Sequence, residues 1–227
     1  MVVLAGDSVL KLNAPSHHEA EHEADALAFW NGDGAVRLLA RDDERRALLL
    51  ERCRPGTELV ERPDHEVDAV CALLPKLWGE PPASAPFRPL ADLAEGWAEK
   101  LRANAGRLEP DLLATALDTF STVDSGARAL ANQDLHPSNV LQAEREPWLV
   151  IDPKPLVGER ELNGVGLLRN AAWRTDATPV RGWLDALGSL GLDRERLRAW
   201  GVAHALAWSY GGTDSGIVDA ARAIRDA

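Results

Sequence analysis

Residues 132 to 158 read NQDLHPSNVLQAEREPWLVIDPKPLVG, and three side chains in this stretch could do chemistry together. Asp134 and Asn139 stand five apart in a polar loop, and Asp152 follows the apolar run Trp148-Leu149-Val150-Ile151, which predicts a strand. Moving a phosphoryl group to a hydroxyl asks a protein for few parts beyond these. One carboxylate holds and deprotonates the attacking hydroxyl, while a second carboxylate and an amide hold Mg²⁺ against the phosphate oxygens. Taken singly, each of the three is an ordinary loop or cap residue, as Asp and Asn often are. Their order and the strand before Asp152 carry the information. His136 lies inside the segment, but no second His or Cys sits at ligand spacing, so it reads as a structural loop histidine.

The elements that must position these groups follow from periodicity. MVVLA and SVLKL are short β-branched runs around Gly6-Asp7, a turn signal that predicts a hairpin. Ala20, Glu23, Ala24, Leu27 and Trp30 recur at helical spacing in 17–30, with Ser16 as a cap, and Asn31-Gly32-Asp33-Gly34 stops that helix. AVRLLARD and RALLLERC predict two more strands, ending at Pro55-Gly56. From Glu66 the period changes to 3.6, with Val67, Val70, Cys71, Leu74, Leu77 and Trp78 on one face. Residues 79–89 are a Pro-rich connector, unsuited to helix or central strand. Further helices are predicted near 90–105, 109–122, 163–173, 180–188, 194–210 and 218–224. A β-β-α-β-β order followed by helices is an α+β arrangement. Residues 1–55 would form a small antiparallel-sheet lobe, and 56–227 a larger, mainly helical one.

Bulk composition narrows the function. A formal charge of −11 argues against a nucleic-acid partner and favours cationic ligands. No apolar run approaches the roughly 20 residues that span a bilayer, and the N-terminus lacks the pattern of a secretory signal. These features predict a cytoplasmic protein. Cys53 and Cys71 have neither CxxC nor metal-ligand spacing and read as free thiols. Asp92, Glu95, Glu99, Asp111, Asp118 and Asp124 either complement a polycation or form a solvated helix face.

DLHPSNVL followed by PWLVIDPKPLVGE resembles the active-site stretch of the aminoglycoside phosphotransferases, in particular the streptomycin 6-kinase and hydroxyurea phosphotransferase branch. SVLKLNAPSHHEAEHEADALAFWNGDGAVRLLARDDERRALLLER is similar to that branch from its lysine-bearing strand to its hinge, and LDRERLRAW resembles its C-terminal helices. The resemblance implies a two-lobed, protein-kinase-like fold and the transfer of the ATP γ-phosphoryl group to a hydroxyl of an aminoglycoside or hydroxyurea-like compound, conferring resistance. It implies Asp134 as the catalytic base, with Asn139 and Asp152 holding Mg²⁺. Lys11 would contact the α/β-phosphates, its other reading being a lysine that snorkels at a strand edge, and Glu23 would hold Lys11 in place, with Glu19 and Glu21 as competing partners. The hinge from Glu51 to Cys53 would offer backbone groups to adenine. Lys154, a mark of the branch, would touch phosphate or substrate, or pair on the surface.

Three departures from the family pattern bear on activity. Family members carry a Gly-rich turn between their first two strands; this chain starts at what would be the second strand, so either its start lies upstream or it is a shortened relative. In that register MVVLA would be an exposed edge. Asn132-Gln133 stands where His-Gly usually precedes the catalytic Asp, which alters the support of the loop, and Asn163 stands where relatives tend to carry Asp. Two other readings keep the fold: a binding protein that has lost turnover, and a kinase of another metabolite such as choline.

Overall fold

The structure, a computed structural model, describes residues 1–14, 21–174, 178–208 and 215–227. Contacts divide the chain into two compact units, Met1–Phe87 with Pro137–Pro155 and Arg88–His136 with Leu156–Ala227.

In the first unit, β1 (Val2–Ala5) and β2 (Ser8–Leu12) form the expected hairpin about Gly6, whose φ of 64° is the left-handed geometry of a tight turn. Strands β3 (Leu38–Asp42) and β4 (Ala47–Glu51) complete a four-stranded antiparallel sheet in the order β1-β2-β4-β3, with Lys11 opposite Leu48. Met1, Val2, Val3 and Leu4 are exposed on the edge strand. Between β2 and β3 runs α1 (Glu23–Trp30), which buries Ala24, Ala26, Leu27 and Trp30 and ends on a left-handed Asn31. Its expected first turns fall at residues 15–20, outside the described part of the chain.

The segment Ala35-Val36, expected to begin a strand of the sheet, pairs elsewhere. Ala35 bridges Val150 in parallel, Val36 N–H donates to the Val150 carbonyl at 3.0 Å, and β3 therefore starts only at Leu38. Val150 belongs to β7 (Trp148–Val150), the strand expected ahead of Asp152, which pairs with β6 (Val140–Gln142). Helix α2 (Glu66–Leu77) buries Ala69, Val70, Leu73, Leu74 and Leu77. The indole of Trp30 donates to the Leu77 carbonyl at 2.9 Å, tying α1 to the end of α2.

The second unit contains six helices among its described residues: α3 (Leu90–Ala103), α4 (Pro110–Ser121), α5 (Val165–Trp173), α6 (Val180–Ser189), α7 (Arg194–Trp208) and α8 (Ser215–Arg225). All six fall within a few residues of the helices that periodicity predicts. A short pair of strands, β5 (Ala129–Asn132) and β8 (Pro155–Gly158), carries the chain into and out of the loop at Asp134. The core is apolar, with Leu101, Leu112, Leu168, Trp183, Trp200 and Leu206 inaccessible or nearly so. No helix among the described residues is long and apolar enough to cross a membrane.

Candidate active site

In the first unit the ammonium of Lys11 donates to both carboxylate oxygens of Glu23, at 2.7 and 2.8 Å, and to Oδ1 of Asp152 at 2.7 Å. Lys11 lies in β2, Glu23 in the first turn of α1, and Asp152 just past β7, so three distant segments converge on one cation. Asn13, two residues beyond Lys11, adds a further bond, its amide donating to Glu23 Oε2 at 2.9 Å. Glu23 is completely buried. A buried carboxylate is tolerable only when its oxygens are bonded and its charge is paired, and here both conditions hold. Burial alone would lower the Lys11 ammonium, but the charges of Glu23 and Asp152 outweigh it and hold Lys11 above its ordinary value. Lys11 is therefore a fixed cation at neutral pH.

Asp152 has φ 48°, a left-handed backbone that Asp adopts more readily than most residues. The turn breaks the strand direction there, and its side chain is 41% exposed. Just before it, Ile151 N–H donates to the Asn139 carbonyl at 2.9 Å, so the loop that ends in Asn139 is tied to the chain leading into Asp152. Asn139 itself closes the short turn Pro137–Asn139. Lys154 lies two residues beyond Asp152 and is partly exposed.

Lys11, Glu23 and Asp152 border a cavity of ≈ 370 Å³ whose apolar walls include Val9, Val36, Leu50, Leu141 and Ile151, and which reaches Glu51, Arg52 and Cys53. An apolar slot with a lysine and a carboxylate beside it suits a flat base attached to a charged tail. Glu51 has local duties at the same time. Its N–H donates to the Arg37 carbonyl at 2.9 Å, and its carboxylate accepts from Arg145 Nε and Nη2 at 2.9 and 3.0 Å. Arg145, to which sequence reasoning gave no role, also donates to the carbonyls of Gly32 and Ala35, pinning the end of β4 to the turn after α1. Cys53 is buried, and desolvation together with the Glu51 charge pushes its thiol up to about 11, which makes it an uncharged wall residue.

Asp134 belongs to the second unit and is 5% exposed. Its N–H donates to Oδ1 of Asn132 at 3.2 Å, and its Oδ1 accepts from Arg169 Nη2 at 3.0 Å. Asn132 N–H in turn donates to Asn163 Oδ1 at 2.9 Å, and the Asn163 amide donates to the Arg160 carbonyl at 3.0 Å. An Asp at 163 would make the first of these bonds but not the second. The two asparagines thus form a neutral bracket under the loop. His136 lies 3.8 Å from Asp134 Oδ1. The six acidic residues from Asp92 to Asp124 singled out above are all exposed, as in a solvated face.

Residues 4–211 match the model of a family described as aminoglycoside/hydroxyurea antibiotic resistance kinase. The chain belongs to this family. Among the family's curated proteins, the hydroxyurea phosphotransferase of Kitasatospora aureofaciens is 39% identical over 212 residues, which is 86% of this chain and 58% of that protein. The streptomycin 6-kinase of Streptomyces griseus is 36% identical over 213 residues, 88% of this chain and 68% of that protein. The chain therefore spans between 58% and 68% of the length of these two resistance-kinase relatives. Solved structures similar to this family member include a choline/ethanolamine kinase family protein from Mesorhizobium loti, with a TM-score of 0.67, 15% identity and coverage of 100% of this chain and 89% of that one. An aminoglycoside phosphotransferase in ternary complex with ADP and hygromycin B has a TM-score of 0.63 and 16% identity, covering 99% of this chain and 90% of that one. At such identities the likeness is one of fold, and the fold is protein-kinase-like.

Sequence reasoning missed Arg169, His204 and Asn13. A signal for Arg169 was present: it is the one charged residue in the otherwise apolar helix VGLLRNAAW. His204, whose partners Arg169 and Gln133 lie 35 and 71 residues away, carried none, and Asn13, just past a strand, reads as a turn residue.

Proposed function

We propose that this chain is the body of a small-molecule kinase that transfers the ATP γ-phosphoryl group to a hydroxyl of a streptomycin-like aminoglycoside or a hydroxyurea-like compound. The observation that carries this reading is Lys11 held between Glu23 and Asp152 on the wall of an apolar cavity. Family membership supports it. In this reading residues 1–55, together with Ile151 and Asp152, bind the nucleotide, and 56–227 carry the catalytic loop and the acceptor site. The protein works in the cytoplasm on a polar or cationic small molecule, with no nucleic acid and no membrane as partner.

The adenine lies against Val9, Val36, Leu50 and Ile151, framed by the backbone from Glu51 to Cys53. Lys11 neutralises charge on the α/β-phosphates, and because Glu23 and Asn13 fix its head group, little side-chain freedom is lost on binding. Asp152 and Asn139 offer oxygen donors from neighbouring segments, the ligand type that a hard cation such as Mg²⁺ takes when phosphates and water supply the rest. Among the described residues no group of three or more His, Cys, Asp or Glu is placed to hold a metal by itself. When bound, Mg²⁺ would screen the charge of the phosphate oxygens. Asp134 orients the acceptor hydroxyl and accepts its proton as the O–P bond forms and ADP leaves. The transition state is loose, so positioning contributes more than base strength.

The test is ATP consumption by the purified protein against streptomycin, other aminoglycosides, hydroxyurea and choline, beside Asp134→Ala and Asp152→Ala. Each variant is expected to lose at least about 100-fold in kcat. Turnover of choline alone would reassign the acceptor. Absence of turnover with every compound would replace the kinase by a binding protein of the same fold.

A further inference from the structure

Arg169 and Asp134 make a buried ion pair, 4% and 5% exposed, inside the helical unit. Stability does not explain such a pair well. Taking a guanidinium and a carboxylate out of water costs several kcal/mol for each ion, and apolar side chains of similar volume usually serve a core as well or better. The surroundings of Arg169 show how carefully it is held. Its guanidinium lies over the Trp208 ring at 4.5 Å and near that of Trp173 at 5.8 Å. Nη2 donates to Asp134 Oδ1 at 3.0 Å, and Nη1 lies 3.2 Å from His204 Nδ1.

The second contact settles the state of the histidine. A guanidinium can only donate, so Nδ1 of His204 must accept, and the ring proton must sit on Nε2. Nε2 lies 3.3 Å from Oε1 of Gln133, which accepts that proton's hydrogen bond. His204 is fully buried, with ring centroids 5.5 Å from a perpendicular Trp97 and 5.2 Å from a tilted Trp208. Burial and the neighbouring Arg169 charge keep it neutral, far below its ordinary value. The chain of bonds is therefore closed: Asp134 to Arg169, Arg169 to His204, His204 to Gln133, and Gln133 by a peptide bond back to Asp134.

Helix α5 can reach the loop only because Gly166 lies one turn before Arg169. A Cβ at 166 would come 2.3 Å from the Leu135 carbonyl oxygen. The glycine lets the helix approach the backbone beside Asp134, and Arg169, on the same helical face, then meets the carboxylate.

We propose that Arg169 is the positioning residue of the reaction, fixing the plane of the Asp134 carboxylate for the acceptor hydroxyl, and that neutral His204 and Gln133 aim its guanidinium. This ring does the supporting work for which sequence reasoning looked to a His-Gly pair ahead of the aspartate and found Asn132-Gln133. The proposal rests on the kinase reading above and extends it to residues that do not touch substrate.

The experiment pairs kinetics with a spectrum that does not depend on turnover. Arg169→Gln is expected to lower kcat about 10- to 100-fold, the loss expected when a reacting group is misplaced, with KM for ATP within about twofold of wild type. Arg169→Lys should recover part of that loss. In ¹⁵N-histidine spectra of the wild type, the His204 signal, assigned by its disappearance in His204→Gln, should show a single neutral Nε2–H tautomer at pH 6. Should Arg169→Gln fail to fold, Gln133→Leu carries the test, and a lower kcat with a changed His204 tautomer balance is expected. Wild-type kcat in Arg169→Gln, a loss confined to KM, or a proton on Nδ1 of His204 would each overturn the proposal. If the wild type turns over no acceptor, the kinase reading fails separately, and the His204 tautomer alone decides whether Arg169 is held as described.

Discussion

Lys11 and Glu23 are coupled so closely that neither can be removed cleanly. Glu23 has no solvent access, and its only cation among the described contacts is Lys11. Replacing Lys11 by Met leaves a buried carboxylate without its counter-charge, which typically costs about 3–5 kcal/mol. Removing both charges, in Lys11→Met/Glu23→Leu, takes away the penalty together with the pair. The single variant should therefore be markedly less stable to urea than the double, while both lose activity. Equal stability of the two variants, measured as unfolding midpoints at constant slope, would show that Glu23 is not held by Lys11. At this scale the pairing of Lys11 with Glu23 came from the family resemblance, since residue types alone left Glu19 and Glu21 as competing partners. Asn13 was not legible, because an asparagine after a strand reads as a turn residue until a buried carboxylate is seen within its reach.

Among the elements, the join of β8, α4 and α7 depends on another single carboxylate. Glu159, the last residue of the PLVGE motif, accepts from Arg196 Nε and Nη2 at 2.6 and 2.7 Å, from the Trp200 indole at 2.8 Å and from Asp124 N–H at 2.9 Å. Burial would raise this carboxyl, but Arg196, Trp200 and the Asp124 amide outweigh it and hold it below the ordinary glutamate value. A carboxyl depressed in the folded state adds stability that is fully present above its unfolded pKa, near 4.3, and is lost as pH falls through the folded pKa. Glu159→Gln keeps the shape and removes the charge. It should cost about 1–3 kcal/mol at pH 7 and progressively less as pH falls through the folded pKa of Glu159, so the stability of the variant varies less with pH in the acid range. A constant difference between the two proteins from pH 7 to pH 3 would remove Glu159 from the acid response. The helices around this join follow from 3.6-residue periodicity, which is a local property, and were legible to within a few residues. β5, β6 and β8 were not: β1 and β7 are as short but lie in continuous apolar runs, whereas ALAN, VLQ and PLVG carry no such signal and become strands through pairing with segments elsewhere in the chain. The shortening of β3 has the same origin: Val36 has a strand-forming side chain, but its N–H donates to the Val150 carbonyl, and Val150 N–H donates back to Gly34.

For the molecule as a whole, the net charge of −11 separates the two classes of acceptor that the family name joins. The exposed carboxylates at Asp92, Glu95, Glu99, Asp111, Asp118 and Asp124 contribute a diffuse negative field without forming a discrete site. Such a field raises the local concentration of a polycation and does nothing for a neutral compound. It is also screened, the Debye length falling from about 10 Å at 0.1 M salt to about 3 Å at 1 M. Raising NaCl from 0.05 to about 0.5 M should therefore raise KM for streptomycin several-fold, leave KM for hydroxyurea nearly unchanged, and alter kcat little for either. ATP, an anion, should show no such rise, because in the proposed kinase reading Lys11 would meet it in a partly buried pocket where salt screens weakly. If KM for streptomycin is independent of salt, the surface carboxylates act only on solubility, and recognition of a cationic acceptor must come from groups in direct contact with it.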